Sequence, residues 1–358
     1  MKRRADLRIL EIGQFCLLKR NLPDQTELIF TGTGFADVEG IDYQTFTPAL
    51  LPDLVRGLAQ GRWDLVCCYP PARPVWDRKH GFVDALRGLR RHLIDFRTLG
   101  TYLLRGRAAP PLVMLDYNDE PTIPAHIFPL LDRCCVYFKR ELPADHAKAF
   151  LDSSAAHRTH RDVMSSPLVT RNLDKLQPVS IAVPETTVRL ALATRPDKTT
   201  DVFFAGSINS TVRAAGLAQL ELLRAAGHAV DVCEGGLPMN DYLPRCARAW
   251  LSWSPEGYGW DCFRHYEASL CGSVPVMNQP GIFRYRPLLE HQHAVYYPVE
   301  GNGLHDALAN ALADKPALAA MAHAARAHVL EHHTHARVVE YILDTALDRL
   351  SRGPVTRP

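Results

Sequence analysis

Apolar residues along this chain fall into short unbroken runs separated by longer stretches in which they recur at helical spacing. Leu7, Ile9, Leu10 and Ile12 lead to Gly13, and Glu27-Leu28-Ile29-Phe30 ends at Thr31-Gly32-Thr33-Gly34, so both predict strands. Leu51, Leu54, Val55 and Leu58 then share one face of a helix predicted over 50–59. Further strands are predicted at 64–69, 111–115 and 134–138. Runs rather than alternation indicate a parallel sheet covered on both faces.

The segment 179–200 contains Pro184, Pro196 and several threonines, and reads as a passage between two lobes. A second series comes after it: strands at 202–205, 229–233, 249–253, 274–277 and 293–297. A helix is predicted over 211–226 and three more over 304–313, 316–330 and 334–350. The expected fold class is α/β, with two doubly wound Rossmann-like domains and a ligand cleft at the carboxyl ends of the strands. The boundaries expected are 1–185 for the first domain, 186–197 for a linker and 198–358 for the second.

Composition narrows the function. At 358 residues and 47% hydrophobic, the chain can build real cores, and wholesale disorder is excluded. Its formal charge of +2 argues against a dedicated nucleic-acid binder. No window approaches 18 apolar residues, and Asp6, Arg8 and Glu11 interrupt the segment after the basic start, so no span or signal peptide is expected. The nine cysteines lack metal-site spacing and read as small hydrophobes in a reduced compartment. The expected location is the cytoplasm. Eight Lys/Arg face only Asp84 and Asp95 between Arg78 and Arg107, a local +6. That stretch is read either as a solvated helix or as a surface for an anionic acceptor or the inner face of a membrane.

The densest clue is SPEGYGWDCFRHYEASLCGSVPV, from Ser254 to Val276: strand, glycine turn, helix, glycine stop, strand. Gly257 and Gly259 allow close backbone approach, and the helix start after them can receive an anion or sugar hydroxyls. Phe263, Tyr266 and Leu270 form an apolar stripe expected in the core. Arg264 and Glu267 flank it, facing a cleft or forming a salt bridge with each other. His265 is placed facing outward.

Glu267-Ala268 with Cys271-Gly272-Ser273-Val274-Pro275-Val276 resembles the E-A-x-x-x-G-x-P-V signature of group 1 glycosyltransferases of the GT-B fold. The resemblance implies that Glu267 holds the ribose of a sugar nucleotide, and that Glu256, Gly257, Tyr258 and Gly259 form a donor-facing turn. Ten residues separate Glu256 from Glu267, where the family has seven, and two separate Gly272 from Pro275. Both departures, with Arg264 ahead of the Glu, look more like the exostosin-like and spore-maturation-like branch. Asp201 to Ser207 resembles the opening of that branch's nucleotide lobe, placing Gly206, Ser207, Asn209 and Arg213 near a diphosphate.

In the first lobe Asp116, Asp119 and Glu120 follow a buried strand. Any of them could be the general base, or they could form an ordinary acidic loop. Lys139 and Arg140 end the next strand and are candidates for the diphosphate or the acceptor. His332-His333-x-His335 has the look of a metal tract, but no carboxylate or cysteine cluster adjoins it. The resemblance implies neither metal nor other cofactor, only a nucleotide-sugar co-substrate and an acceptor of unidentified class. Rival readings are an epimerase or hydrolase of sugar nucleotides on the same fold, and a non-catalytic nucleotide-sugar-binding protein.

Overall fold

A computed structural model describes residues 3–31, 39–70, 110–124, 127–151 and 164–352. The basic stretch between Arg78 and Arg107 lies outside the described residues. The strands are β1 (Ile9–Gly13), β2 (Thr26–Phe30), β3 (Gln44–Thr45), β4 (Leu65–Cys68), β5 (Leu112–Asp116), β6 (Cys134–Lys139), β7 (Leu176–Pro178), β8 (Thr200–Gly206), β9 (Val230–Glu234), β10 (Ala249–Trp253), β11 (Val274–Asn278) and β12 (Val295–Tyr297). The helices are α1 (Leu17–Asn21), α2 (Leu51–Ala59), α3 (Phe128–Leu131), α4 (Pro167–Asn172), α5 (Glu185–Ala193), α6 (Thr211–Ala225), α7 (Met239–Arg248), α8 (Phe263–Cys271), α9 (Gly303–Leu312), α10 (Lys315–His332) and α11 (His335–Arg352). None of the described helices is long and apolar enough to cross a membrane.

The chain divides into two compact units. Unit 1 holds Met1–Tyr117, Pro121–Gln177 and Val339–Pro358; unit 2 holds Asn118–Glu120 and Pro178–Val338. The division differs from the one expected. The segment 186–197 is not a linker: α5 occupies most of it and buries Val188 and Ala191 in the core of unit 2. Its threonines and Pro184 suggested an irregular passage, but Pro184 stands at the N-cap, where its missing N–H costs nothing. The chain from Val339 onward joins unit 1, because α11 buries Val339, Ile342, Leu343 and Ala346. The Tyr341 ring meets Phe138 edge-on at 5.4 Å, and Arg349 bonds the Asp174 carbonyl.

Unit 1 is built on a seven-stranded sheet in the order β3-β2-β1-β4-β5-β6-β7, with the pairs from β3 to β6 parallel. Two buried carboxylates, Glu11 and Asp116, stand within it. Glu11, inside β1, receives the amides of Leu18 and Lys19 at the start of α1 and the hydroxyl of Tyr69 at 2.9 Å. Burial pushes its pKa up to about 7.

Unit 2 carries a five-stranded parallel sheet, β12-β11-β10-β8-β9, in which Leu251 of β10 pairs with Val202 and Val274. Successive residues of β8 enter opposite cores: Phe203 and Ala205 join one cluster, Val202 and Phe204 the other. Two buried faces explain why the strand reads as a continuous apolar run. The chain order reverses between β8 and β10. In open α/β sheets such a switch point leaves a crevice at the carboxyl ends of the strands.

Candidate functional site

At that switch point unit 2 has a cavity of about 380 Å³, built from the turns that follow β8, β9 and β10. Six residues singled out in the sequence line it together: Gly206, Ser207, Asn209, Arg213, Arg264 and Glu267. Sequence reasoning missed the opposite wall. Gly235, Gly236, Leu237, Met239 and Tyr242 come from the turn after β9 and the start of α7. The signal was present: Gly-Gly directly after a predicted strand marks close backbone approach.

Arg213 links the cavity to the glycine turn. Ser210 caps α6 by accepting from the Arg213 amide at 3.2 Å, which places this side chain in the first helical turn. Its Nε donates to the Glu256 carbonyl at 2.9 Å and its NH1 to the Ser207 carbonyl at 2.8 Å. A Cβ at Gly257 would stand 3.1 Å from its NH2 group, so the turn passes close over the guanidinium. Burial, then the nearby Arg264 charge, holds the Arg213 pKa below its ordinary value.

Arg264 and Glu267 do not form the salt bridge that their spacing allows. Arg264 turns toward β8, with its NH1 3.4 Å from the Ala205 carbonyl, its guanidinium over the Phe204 ring, and its buried Nε unpaired. A Cβ at Gly206 would stand 2.9 Å from that NH1. Glu267 is 6% exposed, and burial pushes its pKa up to about 7 against the pull of Arg264. The cavity therefore brings two crowded cations and one desolvated carboxylate into the same space.

The turn itself is held by hydrogen bonds. Asn278 receives the Glu256 amide and donates to its carboxylate, each at 2.9 Å, and the Gly257 amide donates to the Gly259 carbonyl at 2.9 Å. Glu256, Gly257, Tyr258 and Gly259 brace the cavity through Arg213 rather than lining it. Two helix positions depart from expectation. His265 is buried, not outward: Nε2 donates to the Trp260 carbonyl at 2.8 Å, so Nδ1 accepts from the Ser254 hydroxyl at 2.8 Å. Burial holds its pKa down to about 4. Phe263, expected in the core, is the first residue of α8, is 42% exposed and lines the cavity. Asp261 accepts from the Ile181 amide and the Tyr266 hydroxyl, tying the loop to the start of unit 2.

The first-lobe candidates divide. Asp116 and Lys139 are fully buried and 2.9 Å apart, and the Tyr137 hydroxyl donates to the same carboxylate oxygen at 2.7 Å. A general base must reach a substrate hydroxyl, whereas this carboxylate is fully buried with Lys139 and Tyr137 on one of its oxygens. Arg140 is likewise buried and lies 3.3 Å from Glu141. Asp119 and Glu120 are exposed. His333 of the histidine tract is buried between Ser180 and the Arg286 carbonyl, and among the described residues no group of three His, Cys, Asp or Glu is placed to hold a metal.

The chemistry this permits is anion capture. Arg213, Arg264, the glycine-edged end of β8 and the uncapped start of α8 can compensate a diphosphate. Glu267 can accept paired hydroxyls.

Residues 247–344 match the family described as Glycosyl transferase-like. Among solved structures, HepE from Anabaena in complex with UDP is similar at 14% identity, over 96% of this chain and 100% of that one, with a TM-score of 0.55. The same protein in complex with UDP-glucose has a TM-score of 0.50 at 14% identity, over 96% and 100% of the two chains. A glycosyltransferase from Rickettsia africae is similar at 8% identity, over 97% and 100% of the two chains, with a TM-score of 0.57. No curated protein matches the chain at a significant level. At these identities the structural likeness is one of fold, while the matched segment contains the turn, α8 and Glu267. The chain has the GT-B fold and carries a glycosyl transferase-like segment over residues 247–344.

Proposed function

We propose that the protein transfers a sugar from a nucleotide-sugar donor, bound in the unit 2 cavity, to an acceptor hydroxyl. The observation that carries this reading is the meeting of Arg213, Arg264 and the buried Glu267 around one cavity at the switch point. In transfer, the bond between the anomeric carbon and the diphosphate oxygen breaks and its electrons leave with the diphosphate. Arg213 and Arg264 face the charge that develops there, the kind of pre-placed compensation that lowers a barrier. Glu267 fixes the ribose. The acceptor oxygen bonds to the anomeric carbon and gives up its proton, for which Asp119 and Glu120 are the exposed candidates.

HepE forms complexes with UDP and UDP-glucose, which makes the uridine series the first to try. Arg264 before Glu267 and the G-x-x-P-V ending support the exostosin-like and spore-maturation-like branch. An anionic acceptor or membrane face at the basic stretch between Arg78 and Arg107 belongs to the same proposal.

Calorimetric titration with UDP, GDP, CDP and dTDP and their sugars tests the donor assignment. Binding of one series by the wild type, and its loss in a Glu267→Ala variant that remains folded, is the expected result. Absence of binding by every nucleotide would overturn it.

A further inference from the structure

Unit 1 has a cavity of about 390 Å³ at the amino ends of its strands, bordered by Ile9 of β1, Thr26 of β2, Gln44 of β3 and Trp63 just ahead of β4. Asp116, Asp119 and Glu120 lie at or beyond the carboxyl end of β5, so the cavity shares no residue with the chemistry above. Among the described residues β3 pairs with β2 only at Ile29 and Phe30, which leaves Thr26 and Glu27 bordering the cavity instead of another strand. Two polar atoms of the wall are unsatisfied. Thr26 is 4% exposed and its Oγ1 has no hydrogen-bond partner, and the adjacent Gln25 Oε1 is buried and equally unpaired. Buried polar groups are paired in nearly all folds, so two consecutive orphans in one wall mark where a ligand completes the bonding.

We infer that this cavity binds a neutral polyhydroxylated ligand, a single pyranose ring of a saccharide. Its volume lies in the lower part of the range of small-molecule sites, about 300–1,000 Å³. The cations of the wall are already engaged. Arg8 bonds both Asp64 oxygens and the Gly61 carbonyl, Arg62 both Asp53 oxygens, and Lys19 the Pro23 carbonyl. An anion would therefore compete with those partners and face the carboxylates of Asp24, Glu27 and Asp42 in the same wall. An ammonium would leave water for a hydroxyl and an amide, since the orphaned buried atoms carry no charge, and that desolvation is costly. A sugar meets both conditions. Its hydroxyls donate to Gln25 Oε1, exchange bonds with the Thr26 hydroxyl and reach the exposed carboxylates of Asp24 and Asp42. The exposed Tyr43 ring, set 5.4 Å from Phe30, offers an aromatic surface to its C–H face. Trp63, bonded to Glu27 at 3.0 Å with the Arg62 guanidinium over its ring, fixes the wall beside them. A saccharide held here is anchored by a ring that takes no part in transfer, and the site stands whether or not unit 2 binds a nucleotide sugar.

The test titrates amide proton–nitrogen spectra of the full chain with the methyl glycosides of glucose, galactose, mannose and N-acetylglucosamine. Putrescine and inorganic phosphate serve as the cationic and anionic contrasts. Saturable shifts are expected with at least one glycoside and with neither contrast. Thr26→Val, which removes the hydroxyl and keeps the shape, and Tyr43→Ala should each raise its Kd about fivefold or more. Unfolding midpoints show whether each variant is intact, and the exposed Tyr43 decides the matter should Thr26→Val fail to fold. Glycoside binding that both intact variants leave unchanged overturns the inference, as does a wild type that no glycoside shifts. Saturable shifts with putrescine or phosphate, lost in Thr26→Val, overturn the neutral ligand class. None of these outcomes bears on the donor reading, which the nucleotide titrations test separately.

Discussion

Arg213 Nε donates to the backbone carbonyl of Glu256 at 2.9 Å, so a residue that lines the cavity is also the brace of the glycine turn 43 positions along the chain. Cavity wall and turn architecture share one side chain. The two carbonyl bonds of Arg213 come from different nitrogens of a planar fork, a geometry that an ammonium does not reproduce.

Arg213→Lys is therefore expected to lose function although charge is conserved. Two charge-assisted bonds are weakened or lost, costing about 2–4 kcal/mol of stability. UDP affinity should fall at least about tenfold. Thermal unfolding and calorimetry on the same preparation check both, and a variant as stable as wild type would contradict the bracing role.

Donor affinity should depend on pH through Glu267. Its folded pKa is raised to about 7, so the carboxylate is the minor form at pH 6 and the major form at pH 8. Affinity for the ribose diol is expected to rise across that window and to become flat in Glu267→Gln. Stability runs the other way. A raised folded pKa favours the protonated fold, so the contribution is full below the unfolded value of about 4.5 and is lost as pH rises through 7, about 3 kcal/mol in all. Denaturant titrations at pH 5 and pH 8 should show Glu267→Gln gaining on the wild type at the higher pH.

His265 has the opposite sign. Its folded pKa is depressed to about 4, so its contribution is present above the unfolded value of about 6.5 and is lost as pH falls toward 4. Removing the ring in His265→Ala takes away the hydrogen bonds it makes with the Ser254 hydroxyl and the Trp260 carbonyl in the core and should cost about 2–4 kcal/mol. Because the ring joins β10 to the loop before α8, UDP affinity should weaken along with stability, and wild-type binding in a destabilised variant would argue that the loop holds itself.

Asp116→Ala should destabilise by about 3–5 kcal/mol, since Lys139 would keep an uncompensated charge at 0% exposure. Replacing both charges, in Asp116→Asn with Lys139→Met, should recover most of that loss. The double variant is expected to bind UDP as the wild type does. Transfer activity surviving in it would place the base elsewhere, at Asp119 or Glu120.

Much of the candidate cavity was legible in the residue order alone. Glycines after strands, an arginine in the first turn of a helix and a glutamate midway along another are local spellings, and Gly206, Arg213, Arg264 and Glu267 meet at one cavity. Side-chain direction was less legible. His265 and Phe263 exchanged their expected environments, because helical angle ranks positions relative to one another while neighbouring elements decide which face is covered.

Most of the strands and the longer helices follow from patterning, since a period of burial is a property of adjacent residues, but α5 read as a linker and α7 was not predicted. Which charges would be used inside the fold was decided by tertiary structure. Asp116 and Lys139 stand at the ends of two strands 23 residues apart, and only the pairing of β5 with β6 brings them within 2.9 Å as a fully buried pair. The α11 helix was legible as a helix, but its membership of unit 1 depends on which core its buried residues enter. Long-range pairing carries no local signature, because either partner looks the same whether the other is near or absent.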